Sequence, residues 1–111
     1  QDGHLECVSV ALERPADLND LLDTFRQFKG LPQELNLPYA PKHPIIVREE
    51  SDRPQPRVDR NTENGMAVTV GRIRACSVLD YKMLVLVHNT VRGAAGTAIL
   101  NAELLAEQGY I

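Results

Sequence analysis

Tyr81-Lys82-Met83-Leu84-Val85-Leu86-Val87-His88 is the stretch that decides the fold. Its middle is continuously apolar, as expected of a strand buried on both faces inside a sheet. It is too short to be a helix of ordinary length, and it is the longest apolar run in the chain. Just upstream, Met66, Val68, Val70, Arg72 and Arg74 alternate with Ala67, Thr69, Gly71 and Ile73, which predicts a second strand over 66–74. A turn around Ser77 to Asp80 separates the two. They form either a hairpin or two strands further apart in one sheet.

Further out, residues 4–12 suit another strand. His4, Glu6, Val8, Val10 and Leu12 share one face and Leu5, Cys7, Ser9 and Ala11 the other. Apolar residues on both faces predict cover on two sides. A helix is expected over about 18–29, with Asp17 as N-cap and Leu18, Leu21, Leu22 and Phe25 as its apolar stripe. Gly30 and Pro32 are expected to stop it. The stretch from Leu31 to Gly65 holds six of the seven prolines. A short strand at Ile45 to Arg48 is the one regular element expected there. A connection this long usually packs against something, and a second subunit or another part of a longer chain is the expected partner. A final helix is predicted from about Val91 to Gln108, capped by Asn89 or Thr90 and ended by Gly109. Ala95, Ala98, Ile99, Leu100, Ala102, Leu104 and Leu105 surround most of it, so burial on more than one side is expected.

The chain has 111 residues, no tryptophan and a net charge of -3. That length allows one small domain with an aliphatic core. The mild charge argues against a nucleic-acid binder or a polybasic membrane anchor, and no apolar run approaches a membrane span. Cys7 and Cys76 cannot form a disulfide framework and are expected to be reduced, mostly buried thiols in a cytoplasmic protein. The chain opens on Gln1 and enters a strand within a few residues, so a piece of a longer protein is the expectation.

Several residues can carry chemistry. Histidine titrates near neutral pH, so His4 at the mouth of a strand is a candidate acid–base group. A structural or surface histidine is the commoner outcome for such a position. Glu6 shares its face and can orient the ring, whereas Cys7 points the other way. Nine arginines outnumber three lysines. Those between Arg48 and Glu63 are interleaved with acids and read as salt-bridged surface. Arg72 and Arg74 are expected to join a buried charge network or an interface. Asn89 through Gly96 is a polar strand end followed by small residues at a helix start, suited to close approach of a ligand or to tight packing. No glycine-rich dinucleotide loop, Walker loop or metal-ligand spacing is present.

Taken together, five motifs go further. Asp2-Gly3-His4-Leu5-Glu6, Pro54-Gln55-Pro56-Arg57 with Asp59, Gly65-Met66 through Val70-Gly71-Arg72-Ile73-Arg74, His88-Asn89-Thr90 with Arg92-Gly93-Ala94-Ala95-Gly96, and Asn101-Ala102-Glu103 stand in order along almost the whole chain. In this order they resemble the C-terminal part of aspartate-semialdehyde dehydrogenases of the archaeal and fungal branch, with Leu5 in place of a small polar residue. The resemblance implies an α+β fold, a mixed β-sheet with helices on one face, like the C-terminal domain of glyceraldehyde-3-phosphate dehydrogenase. It implies that residues 1–88 belong to a catalytic and dimerisation domain and 89–111 to a helix that docks on an NADP-binding domain. It implies reductive dephosphorylation of aspartyl phosphate to aspartate semialdehyde with NADP as cofactor, in a cytoplasmic homo-oligomer. His4 would be the acid–base group and Asn89 the residue beside the nicotinamide. The family's nucleophilic cysteine has a context that neither Cys7 nor Cys76 shares, so the chain by itself is expected to be inactive. A non-catalytic dimerisation or interaction module is the alternative, and an anion-binding protein using Asn89 to Gly96 a third reading.

Overall fold

In the computed structural model, residues 2–111 are described; Gln1, on which the reading of the terminus rests, lies outside them. Four strands, β1 (Gly3–Val10), β2 (Ile45–Arg48), β3 (Val68–Ala75) and β4 (Tyr81–His88), form one sheet in the order β1-β4-β3-β2. The apolar run of β4 therefore lies inside the sheet, antiparallel to both neighbours, and β3 and β4 form a hairpin. β2 pairs parallel with β3, which makes the sheet mixed. The α+β architecture with a mixed sheet is thus as expected.

Helix α1 (Leu18–Gln27) begins where its sequence dictates, with the Asp17 side chain accepting the Asp20 N–H. Its end differs from expectation. The chain leaves the helix at Phe28, and Gly30 instead opens the short helix α2 (Leu31–Glu34), with the Gln33 side chain accepting the Gly30 N–H at 2.9 Å. Pro32 sits in the first turn of α2, where a missing N–H costs nothing.

The proline-rich stretch is more regular than expected. β2 falls at Ile45–Arg48 as read, but a further short helix, α3 (Pro56–Asp59), and a 3-10 turn (Thr62–Gly65) also form. Part of this stretch packs within the chain. Leu37 joins Met66 and Leu100 in a small core flanked by Leu35, Ala40, Val91 and Leu104. Residues 53–56 lie on the sheet so closely that a Cβ on Gly71 would stand 2.5 Å from the Arg53 carbonyl oxygen.

β1 departs from the expected two-sided cover. It is an edge strand, and most of its residues are exposed, Leu5 and Cys7 included. For Arg72 and Arg74 the expectation of a buried charge network, though not that of an interface, needs correction. A bulge between Gly71 and Arg74, with Arg72 in the left-handed region (φ 52°), breaks the alternation of β3. Arg72 and Arg74 are both exposed; Arg72 donates to the Ser51 carbonyl at 2.9 Å.

The buried charge network centres on Asp59 instead, which is 1% exposed. Its carboxylate accepts from Arg53 Nε at 2.7 Å, from Arg53 Nη2 and from the Gln55 N–H at 2.8 Å, and pairs with Arg48 Nε at 3.2 Å. The Arg53 hydrogen bond outweighs burial and, helped by the Gln55 N–H, holds the Asp59 carboxyl below the usual carboxylate value.

A carboxyl titrating lower in the folded state stabilises the fold above its unfolded value of 3.8, and that stability is lost as pH falls through the folded value. Urea midpoints measured from neutral pH downward should fall below about pH 4 more steeply in the wild type than in Asp59→Asn. Asp59→Ala, which removes the carboxylate shared by Arg48 and Arg53, should lower the urea midpoint at neutral pH, where Asp59→Asn and the wild type also differ.

Candidate functional site

The root of β1 and the end of β4 meet at one end of the sheet. Gly3 is in register with His88 and His4 with Val87, and the Asn89 N–H donates to the Asp2 carbonyl at 2.9 Å. His4 and Asn89, distant in sequence, are thereby brought to the same sheet end. His4 is exposed on its strand, and among the described residues no hydrogen bond joins it to Glu6, which is exposed as well. Asn89 is half-buried, and its Oδ1 is buried with no hydrogen-bond partner. A buried acceptor without a donor is costly, and this one lies at the chain reversal that follows β4.

His88, the last residue of β4, is buried, with Nδ1 3.3 Å from the Thr90 hydroxyl. The chain then enters a π-helical turn, Val91–Ala95, before α4 (Gly96–Glu107). Neither Asn89 nor Thr90 supplies the expected side-chain cap; Thr97 donates its hydroxyl to the Arg92 carbonyl instead. Gly93, Ala94 and Ala95 are exposed, leaving the backbone of this turn open to close approach. Helix α4 ends as expected at Gly109, with the Gly109 N–H on the Ala106 carbonyl and the Tyr110 N–H on that of Leu105. It is not buried on more than one side. Only Gly96 and Leu100 are buried, while Ile99 is 45% and Leu105 42% exposed, because only the Leu37–Met66 core covers it.

The two thiols differ from expectation and from each other. Cys7 is exposed rather than buried, and Cys76 is half-buried at the β3–β4 turn; both are free. N–H groups of Leu79 and Val78 donate to the Cys76 sulfur and hold its pKa below the usual thiol range. Neither lies at the end of the sheet that carries His4 and Asn89: Cys7 is in register with Leu84, and Cys76 follows the far end of β3. His43 is elsewhere as well, 3.1 Å from the Glu63 carboxylate. Among the described residues no group of three or more His, Cys, Asp or Glu side chains is placed to hold a metal ion, and no helix is long and apolar enough to cross a membrane.

With its mixed sheet and helices the chain is an α+β domain, and it belongs to the family described as semialdehyde dehydrogenase, dimerisation domain, which it matches over residues 1–92. It is 49% identical to the aspartate-semialdehyde dehydrogenase of Methanothermobacter thermautotrophicus over 96% of its own length and 31% of that protein's. The structure of the Candida albicans enzyme, determined with NADP, superposes with a TM-score of 0.89 at 46% identity, covering 99% of this chain and 31% of that one. A malonyl CoA reductase (NADP) of Metallosphaera sedula is 45% identical over 98% of this chain and 31% of its own. The chain thus spans under a third of the length of these relatives.

Alkylation of Cys76 with iodoacetamide, followed by mass spectrometry against pH, should reach its half-maximal rate at lower pH in the folded chain than in the urea-unfolded chain. Identical profiles would mean that the turn amides do not stabilise the thiolate.

Proposed function

We propose that this chain is the C-terminal part of an NADP-dependent aspartate-semialdehyde dehydrogenase, a cytoplasmic homo-oligomer that forms aspartate semialdehyde from aspartyl phosphate. Residues 1–88 would form part of the catalytic and dimerisation domain, and 89–111 the segment that docks on an NADP-binding domain. The observation that carries the reading is the convergence of His4 and Asn89 at one sheet end, tied by the 2.9 Å bond from the Asn89 N–H to the Asp2 carbonyl.

His4 is the acid–base group: its exposed ring can take a proton from a thiol and return one to a substrate oxygen. The unpartnered Asn89 Oδ1 fits an amide N–H of the nicotinamide, and the exposed Gly93–Ala95 backbone leaves room for it. NADPH, when bound, supplies the hydride. The nucleophile that would bear the acyl group is assigned to neither Cys7 nor Cys76, which stand away from His4, so the chain alone should not turn over. The relationship to a malonyl CoA reductase supports a second reading, in which the same His4–Asn89 end serves an acyl-CoA.

The test is NADP-dependent oxidation of aspartate semialdehyde in the presence of phosphate, by the full-length protein, its His4→Ala variant and the chain alone. The chain alone should be silent, and His4→Ala should cost about a hundredfold or more. Undiminished activity of His4→Ala would remove the histidine from the chemistry. Malonyl-CoA reduction measured in parallel decides between the two substrates.

A further inference from the structure

We infer that Gly3 and Pro56 form a backstop that sets the position of His4, with Asp59 as the anchor of that backstop; the inference rests on His4 being the acid–base group. A Cβ built on Gly3 would stand 3.0 Å from Pro56 Cβ, 3.4 Å from Pro56 Cα and 3.3 Å from Leu86 Cδ1. The root of β1 therefore rests directly on the first residue of α3. Successive strand residues point to opposite faces, so His4 projects away from the side that Pro56 blocks.

The backstop is rigid for reasons on both sides of Pro56. Upstream, Arg53 and Pro54 lie against Gly71, where an added Cβ would be 2.5 Å from the Arg53 carbonyl oxygen and 2.7 Å from Pro54 Cδ. Downstream, the Asp59 carboxylate holds the Arg53 guanidinium and the Gln55 N–H, and the Asp59 carbonyl accepts the Thr62 hydroxyl at 2.8 Å. Pro56 cannot retreat without breaking a buried ion pair. Along the strand edge, the Asn89 N–H on the Asp2 carbonyl fixes the same root from β4. His4 is thus placed by two contacts that never touch its ring, and Pro56 and Asp59 are positioning residues rather than catalytic ones. Misplacing a reacting group by about 1 Å can cost a hundredfold in rate.

Gly3 permits a sharp test, because its φ lies outside the left-handed region and its backbone accepts alanine. The added methyl must push the β1 root off Pro56. In the full-length enzyme, Gly3→Ala, Pro56→Gly, the double variant and His4→Ala are compared for kcat, KM, the pH profile of kcat and the melting temperature. Gly3→Ala should lower kcat about tenfold or more with KM little changed, and displace the pH profile, which a smaller folded fraction would only scale. In the double variant the alanine methyl occupies the room that Pro56→Gly leaves, which restores the contact and should recover most of that kcat. If Gly3→Ala does not fold, Pro56→Gly alone should still lower kcat and displace the profile, and a wild-type profile would overturn the inference. Full activity of Gly3→Ala, or a loss that Pro56→Gly does not relieve, would overturn it while an inactive His4→Ala leaves the role of the histidine intact. An active His4→Ala would overturn both.

Discussion

A single buried carboxylate holds the irregular half of this molecule to the regular half. Asp59 gathers Arg53 from its own loop, Arg48 from the end of β2 and the Gln55 N–H from the turn before α3. Burying charge is favourable only where partners satisfy most of the lone pairs, and here three donors converge on one group. Without it residues 53–59 would lose their ionic tie to the end of β2, leaving the β2–β3 pairing and the Arg72 bond to the Ser51 carbonyl to hold the proline-rich segment to the sheet. With it, residues 53–59 become part of the sheet's lower surface, and the two glycines beneath them, Gly3 and Gly71, record how close that surface lies.

The network was not legible in the sequence, and the reason is physical. Arg48, Arg53 and Asp59 look like members of a mixed-charge run, and sequence spacing says nothing about which acid turns inward. What selects Asp59 is the turn at Pro56, which starts a helix too short to leave a periodic pattern. The same limit explains Arg72 and Arg74. Strict alternation predicts one shared face, but a non-glycine residue with positive φ has no reliable sequence signal, so the bulge that turned both arginines outward was invisible. Where periodicity extends over several residues the reading held: the apolar run of β4 is internal, β2 covers Ile45–Arg48, and α1 starts at its aspartate cap.

The site was legible in another way. His4 alone is an exposed histidine on an edge strand, and composition does not separate it from any other. Its pairing with Asn89 depends on the register of β1 against β4, a long-range fact that no local pattern encodes. The ordered motifs singled out His4 and Asn89 separately, through resemblance, and the shared family bears out that resemblance for the chain as a whole. Helix α4 shows the converse. Its all-round apolar character led to an expectation of burial on more than one side, yet Ile99 and Leu105 are exposed among these residues, because the Leu37–Met66 core covers one side.

The order of strands in the sheet has a consequence for synthesis. β4 lies between β1 and β3, so among the described residues β1 pairs with the strand furthest from it in sequence. β1 can pair with β4 only once Tyr81 and the residues after it have been made, and the β3–β4 hairpin, whose contacts are local, can close first. Joining β1 to it then requires closing a loop that contains nearly the whole chain, an entropic cost met before any native pairing of β1 is gained. During that interval an eight-residue strand, Gly3–Val10, is free to pair with whatever edge it meets, which makes the nascent chain more exposed to misassembly than the finished one.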